Sequence, residues 1–475
     1  MKKFIYAALP AILLTSACTK DLTSINTNPK NPTTVPAAAE YTNAERVLVN
    51  TVTSSNVNLN IFRLVEQQWQ ETTYTDESNY NISSRTIPDG MWNAFYRDVL
   101  ENLEQAKTLG AKEGTDATTL KVNNAQIDIL EVYSYYYLLT TFGNVPYTQA
   151  LNPDNLFPVY DDALTTYKSL LTRLDADITA LGSGSGSLGA ADIIYGGDAA
   201  SWKKFAATLK LKMGITLSDA DNTTAKAAVE SAVATGVFTS NDDNATFGYL
   251  SAPPNTNPIW VDLVQSGRKD FVACTTLINN LKANADPRIS LYFTTDAAGG
   301  YSGGAPGASS NYATFSKPAV AITAPDFPGV LLDYAETEFT LAEAVERGYN
   351  VGGTAAGHYN NGVTASVEKW GGTAAQAATY LAQPAIAYAT AAGTYKQKIG
   401  TQKWIALYNR GWDAWIEQRR LDYPALVAPS TALSVFPVRI TYAVQEGNVN
   451  GPNVKAAGTA IGGNLVSTKL FFDKF

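Results

Sequence analysis

Residues 160–181 read YDDALTTYKSLLTRLDADITAL, and their spacing decides the fold. Leu164, Tyr167, Leu171, Leu174, Ile178 and Leu181 fall three or four apart, which places them on one stripe of an α-helix. Asp161 or Asp162 is positioned to cap its N-terminus and Gly182 to end it. The same period recurs at 37–53, 58–72, 91–109, 118–142, 198–218, 270–283, 333–350 and 402–420. In 402–420 the stripe is Trp404, Leu407, Tyr408, Gly411, Trp412 and Trp415. A glycine within a helical stripe costs about 1 kcal/mol against alanine, so a neighbouring helix is expected to approach closely at Gly411.

Short polar turns join 91–109 to 118–142 and 160–181 to 198–218, so these helices pair as antiparallel hairpins. The pattern predicts a mainly α chain of TPR-like hairpins forming a right-handed scaffold, without a strict TPR signature repeat. At about 240–330 and 422–466 the texture changes to Gly, Pro, Ser and Asn with short apolar pieces. These insertions form an irregular loop-rich lobe, where function is expected to reside.

The N-terminus carries its own message. Lys2 and Lys3 precede an apolar run from Phe4 to Leu14 that ends at Thr15-Ser16-Ala17-Cys18. A bilayer core needs about 20 helical residues, so the run reads as a cleaved export signal over 1–17. Small residues before Cys18 fit lipoprotein processing, with Cys18 as the lipidation site and acyl chains as the only membrane attachment. Leu14 lies one place early, with Thr15 in the position where such sites carry leucine. Residues 18–36, rich in Asn, Thr and Pro, read as a flexible tether to a body spanning 37–475.

Removing 1–17 takes two lysines and shifts the formal charge from −8 to −10. That balance excludes nucleic acid as a partner. With Cys18 lipidated, Cys274 is the one remaining cysteine, so no intramolecular disulfide can form and stability must come from a large core. The 26 Tyr and 8 Trp suit both helix packing and stacking on a ligand.

Several blocks occur in one order along almost the whole body. They are Phe142-Gly143-Asn144-Val145-Pro146-Tyr147; Pro158-Val159-Tyr160-Asp161; Tyr195-Gly196-Gly197-Asp198 through Trp202-Lys203-Lys204-Phe205-Ala206; and Asp286-Pro287-Arg288. Then come Tyr334 to Phe339 with Ala342-Glu343-Ala344; Trp404 through Arg420; and Pro437-Val438-Arg439 to Tyr442, with Glu446 and Asn450. This order resembles the SusD/RagB family of nutrient-binding lipoproteins. The resemblance implies a helical scaffold that lies over a SusC-like TonB-dependent transporter at the outer membrane, facing the cell exterior. It implies capture of an oligosaccharide or peptide and delivery without bond cleavage. Thr19-Lys20-Asp21 resembles the short signal that sends Bacteroidetes-type lipoproteins to the outer face of that membrane.

Two loops have the aromatic and short polar texture of a binding site: Tyr74 to Asn81, and Asn255 to Asp270. With the Gly-rich stretch beyond, they nominate Tyr74, Tyr80, Trp260, Arg268 and Tyr301 as ligand contacts, since family ligand aromatics come from comparable loops. Trp92 begins the stripe of Phe95 and Val99 and is assigned to packing. A surface glycoside hydrolase would use Glu336 and Glu343. Seven residues along a helix span about 10 Å, beyond the carboxylate spacing of retaining enzymes. Salt bridges to Arg347, Arg419 or Arg420 are the expected role. His358 is the only histidine, which removes multi-histidine metal sites and leaves surface placement as the expectation. Gly184 to Gly189 lies in a Gly-Ser repeat after a helix and reads as a flexible loop. Cys274 reads as a small core residue. No catalytic residue, metal or cofactor is expected. A TPR-type scaffold that binds only protein is the remaining alternative.

Overall fold

A computed structural model describes residues 35–83 and 85–474. The export signal, Cys18 and nearly all of the tether lie outside the described residues. The principal helices are α1 (Ala37–Thr53), α2 (Ile87–Asn93), α3 (Glu101–Lys112), α4 (Ala117–Phe142), α5 (Ala163–Leu181), α6 (Ala199–Thr216), α7 (Asn222–Thr235), α8 (Tyr334–Glu346), α9 (Ala355–Lys369), α10 (Tyr395–Ala406) and α11 (Gly411–Leu421). Asp162 caps α5, accepting from the Thr165 N–H at 2.8 Å. Asp161 instead accepts from the N–H groups of Tyr147 and Thr148, both at 2.9 Å. A π-helical stretch, Ala94–Leu100, joins α2 to α3.

Successive helices pack as hairpins, α4 on α5, α5 on α6 and α6 on α7, with α8 on α9 beyond. This is the TPR-like arrangement the spacing predicts. Helix α4 is central. From Ile129 to Phe142 every residue is buried, including Glu131, which pairs with Lys107 and Arg173. It ends at Gly143, whose φ of 88° favours glycine. A Cβ there would also meet Leu470 at 2.9 Å. Trp92 packs in this core against Tyr96, Phe142 and Tyr160.

Three predicted helices are partly something else. In 58–72 only Phe62–Val65 is helical, and β1 (Trp69–Glu71) follows. In 270–283, a second strand, β2 (Phe271–Ala273), precedes the helix Thr275–Ala283. The strands pair antiparallel with Trp69 opposite Ala273 and Glu71 opposite Phe271. Short apolar runs satisfy either period, and a partner distant in sequence selects the strand. The 402–420 segment breaks into α10 and α11 around Asn409, at φ 67°. Gly411 opens α11 against the Phe62–Val65 helix, where a Cβ would lie 2.5 Å from the Arg63 nitrogen. The expected close approach is therefore real, although the glycine starts a helix. Both loop-rich regions also carry short regular elements: 240–330 holds β2 and the helices Thr275–Ala283 and Ile289–Tyr292, and 422–466 the helices Val444–Val449 and Gly451–Ala460. Among the described residues no helix is long and apolar enough to cross a membrane.

Candidate functional site

The pairing of β1 with β2 assembles a cleft from three distant segments. Beyond the strands the ladder continues, with the Thr72 N–H donating to the Asp270 carbonyl at 2.8 Å and the Thr72 hydroxyl to the Lys269 carbonyl at 2.7 Å. The loop after β1 is thereby fixed beside the loop before β2. The polar turn after α1 closes the third side. The resulting cleft has a volume of about 300 Å³, with Ser55, Asn58, Tyr74, Asp262, Arg268 and Asp270 among its walls. That is the lower end of the range for small-ligand sites.

Tyr74 is 66% exposed, a large aromatic left uncovered at the cleft. The Arg268 Nε donates to Asp270 Oδ2 at 2.5 Å, and this carboxylate raises the guanidinium's already high pKa. The Ser55 hydroxyl donates to Asp262 Oδ2 at 2.8 Å. Burial lifts the Asp262 carboxyl above the ordinary range, against the opposing pull of Ser55. The cleft thus offers an aromatic face, guanidinium donors, and carboxylate and amide acceptors.

Deeper in the wall, Glu71 is 4% exposed and Glu77 fully buried. The Ser78 N–H and O–H donate to Glu71 Oε2 at 2.9 and 2.5 Å. The Arg85 Nε donates to Glu77 Oε1 at 2.5 Å. Burial, together with the neighbouring Glu77, pushes the Glu71 carboxyl up to about 9, so it is protonated at neutral pH.

Of the five nominated contacts, Tyr74 and Arg268 meet in this cleft. Tyr80 is 1% exposed, packs edge-on against Phe436, and its hydroxyl accepts from Gln67 Nε2 at 3.2 Å. Burial pushes its phenol up to about 12. Trp260 is half-buried at the end of the Pro258–Trp260 turn. Tyr301 is half-buried against the smaller apolar cluster around Trp69 and Tyr292. Neither lines the cleft. Sequence reasoning missed Ser55, Glu71, Arg85 and Asp262. Single polar residues in separate segments carry no periodic signal, and only the strand pairing brings them together.

Glu336 and Glu343 lie elsewhere, fully buried in a charge network. Glu336 pairs with Lys212 and Arg410, both at 2.8 Å. Glu343 pairs with Arg420 and, at 2.7 Å, with Arg347. These cations outweigh burial, holding Glu336 below the ordinary range and Glu343 at about 2. Arg419 donates instead to the Thr140 and Val438 carbonyls and stacks on Trp415. His358 is not a plain surface residue, since its Nδ1 lies 2.7 Å from Glu338 Oε2, which raises the imidazole pKa. Cys274 is buried.

The family described as "Starch-binding associating with outer membrane", SusD-like, matches residues 29–443. Among solved structures, a chitin-binding protein is 26% identical with a TM-score of 0.80, covering 92% of this chain and 100% of that chain. A SusD-like protein from Bacteroides thetaiotaomicron is also 26% identical, with a TM-score of 0.77 and coverage of 91% and 98%. A chitin-binding SusD homolog from Flavobacterium johnsoniae is 24% identical, with a TM-score of 0.77 over 91% and 98%. No curated protein sequence matches. With the family matched over most of its length, the chain belongs to the SusD-like family of outer-membrane-associated proteins.

Proposed function

We propose that this protein is a lipid-anchored receptor, attached through Cys18 and facing the cell exterior, that holds an oligosaccharide at the Tyr74–Arg268 cleft. It passes that ligand to a SusC-like TonB-dependent transporter, with residues 37–475 as the nutrient-binding body. The observation that carries this reading is the meeting of an exposed tyrosine with guanidinium, carboxylate and hydroxyl groups in a cleft of about 300 Å³. A sugar ring presents an apolar face for stacking and a rim of hydroxyls that both donate and accept. The family description and the chitin-binding neighbour favour a glycan over a peptide.

Hydrolysis by Glu336 and Glu343 is disfavoured on physical grounds. A glycosidase requires a carboxyl protonated near neutral pH beside open space for substrate. These two are ionised, paired with cations and buried. Burial raises the Glu71 carboxyl, but its Oε2 is already engaged by the Ser78 N–H and O–H.

The test is purification of the tagged full-length protein from outer membranes in mild detergent, with mass spectrometry of its companions. The eluted complex is then assayed for binding of chito- and malto-oligosaccharides. A stoichiometric barrel transporter together with saccharide binding supports the reading. Recovery alone with no saccharide affinity would transfer the weight to a protein-binding scaffold.

A further inference from the structure

Beside the cleft, two lysines meet at one tyrosine ring. Lys269 Nζ lies 5.8 Å from the centre of the Tyr312 ring and Lys317 Nζ 5.3 Å from it. The two ammoniums are therefore separated by no more than the sum of those distances. Arg268 and Asp270 wall the cleft, whereas Lys269 between them does not, because successive residues of an extended segment point to opposite faces. Only the 268–270 segment divides the lysine pair from the cleft.

The backbone fixes this meeting. The Lys269 carbonyl accepts from the Thr72 hydroxyl at 2.7 Å. The Lys317 carbonyl accepts from the Thr294 N–H at 2.9 Å, and the Lys317 N–H donates to the Thr294 hydroxyl at 3.2 Å. One residue earlier, the Ser316 carbonyl accepts from the Ala273 N–H of β2 at 2.8 Å. Both lysines are thus anchored to the strand pair that builds the cleft. Tyr312 and Lys317 are half-buried, and Lys269 is exposed.

Their charge is left uncompensated. Asp270 is engaged by Arg268. Asp296 lies on the turn whose Ala297 N–H donates to the Thr314 carbonyl, and it accepts from the Ala298 and Gly300 N–H groups, both at 2.9 Å. The tyrosine ring attracts both ammoniums through its quadrupole but carries no net charge. Two like charges gathered at one ring repel each other, and an anion bound between them relieves that repulsion. We propose that Lys269, Lys317 and Tyr312 form a subsite for the anionic substituent, carboxylate or sulfate, of an acidic oligosaccharide. The proposal rests on the reading of the protein as a saccharide receptor. An oligosaccharide held in the cleft and crossing the 268–270 segment reaches both places, so the lysines select for charge while the cleft holds the sugar.

The experiment is calorimetric titration of the full-length protein in detergent with matched pairs of ligands. Hexagalacturonate is compared with its neutral methyl ester, and sulfated maltohexaose with maltohexaose; hexa-aspartate controls for charge without sugar. The proteins are the wild type, Lys269→Gln/Lys317→Gln and Lys269→Arg/Lys317→Arg. The arginine variant keeps both charges, and thermal unfolding of all three confirms that each is folded.

The wild type should bind one acidic saccharide about tenfold more tightly than its neutral partner, as two exposed charge pairs supply together. Whether the uronate or the sulfate shows that advantage identifies the group. The advantage should vanish in Lys269→Gln/Lys317→Gln, persist in Lys269→Arg/Lys317→Arg, and shrink when salt is raised from about 0.05 M to about 0.5 M. Neutral saccharides should bind all three proteins alike. Equal affinity for acidic and neutral partners would overturn the subsite, as would an acidic preference that survives in the glutamine variant. Hexa-aspartate bound as tightly as the better acidic saccharide, and lost with the lysines, would overturn its assignment to a sugar. Failure of the wild type to bind any saccharide, neutral or acidic, would instead overturn the receptor reading on which the subsite depends.

Discussion

Replacing Glu343 by glutamine separates a structural carboxylate from a catalytic one. Glu343 is fully buried between Arg420 and Arg347, and these cations lower its pKa from 4.5 to about 2. That difference corresponds to about 3 kcal/mol favouring the ionised folded state. Glutamine also leaves the two guanidiniums leaning on Glu417 and Asp219 alone, which moves the cost toward the 3–5 kcal/mol typical of a broken buried pair. For a body of about 440 residues, with an unfolding entropy near 2.1 cal/mol/K per residue, 3 kcal/mol lowers Tm by about 3 °C. The folded pKa lies below the unfolded one, so this stabilisation is fully present above about pH 4.5 and fades as pH falls toward 2. Thermal and urea unfolding of wild type and Glu343→Gln between pH 7 and pH 3 should therefore show a gap that narrows on acidification. Saccharide binding at pH 7 should be unchanged. Equal stability at pH 7, or a gap that does not depend on pH, would refute this account of the network.

Three further outcomes follow from the same structure. Gly411→Ala places a Cβ 2.5 Å from the Arg63 nitrogen and should cost about 1–3 kcal/mol, read as a lower urea midpoint; wild-type stability would contradict the helix contact. Tyr74→Ala removes an exposed ring, so stability should stay within about 0.5 kcal/mol while saccharide affinity falls about tenfold. Glu66→Gln concerns a fully buried carboxyl that burial lifts well above the ordinary range despite the opposing Arg419 cation. Its folded pKa exceeds its unfolded one, so the wild type loses stability as pH rises above about 4.5, and the variant should gain on it across that range. Parallel unfolding profiles from pH 5 to pH 9 would contradict that assignment.

The helical scaffold was legible because its signal is local. Leu164 to Leu181 repeats every three to four residues, and Asp162 and Gly182 mark its ends, so α5 could be read without its neighbours. Trp69–Glu71 and Phe271–Ala273 could not, because each is a run of three residues whose conformation is decided by a partner some two hundred positions away. The cleft inherits this difficulty. Tyr74 and Arg268 were nominated separately from loop texture, and their meeting depends on the strand register. Tyr80, with similar texture six residues on, turns inward because its ring fills space beside Phe436. Gly411 shows a middle case, in which the unfavourable residue type announced a close contact but not the helix break at Asn409.

The most direct test of the central claim is calorimetric titration of the full-length protein in detergent with chitohexaose and maltohexaose, for the wild type and the Tyr74→Ala/Arg268→Ala double variant. Saturable binding of a saccharide by the wild type and its loss in the double variant are expected, with both proteins unfolding at the same temperature. Binding that survives unchanged in the double variant would contradict the assignment of this cleft as the ligand site.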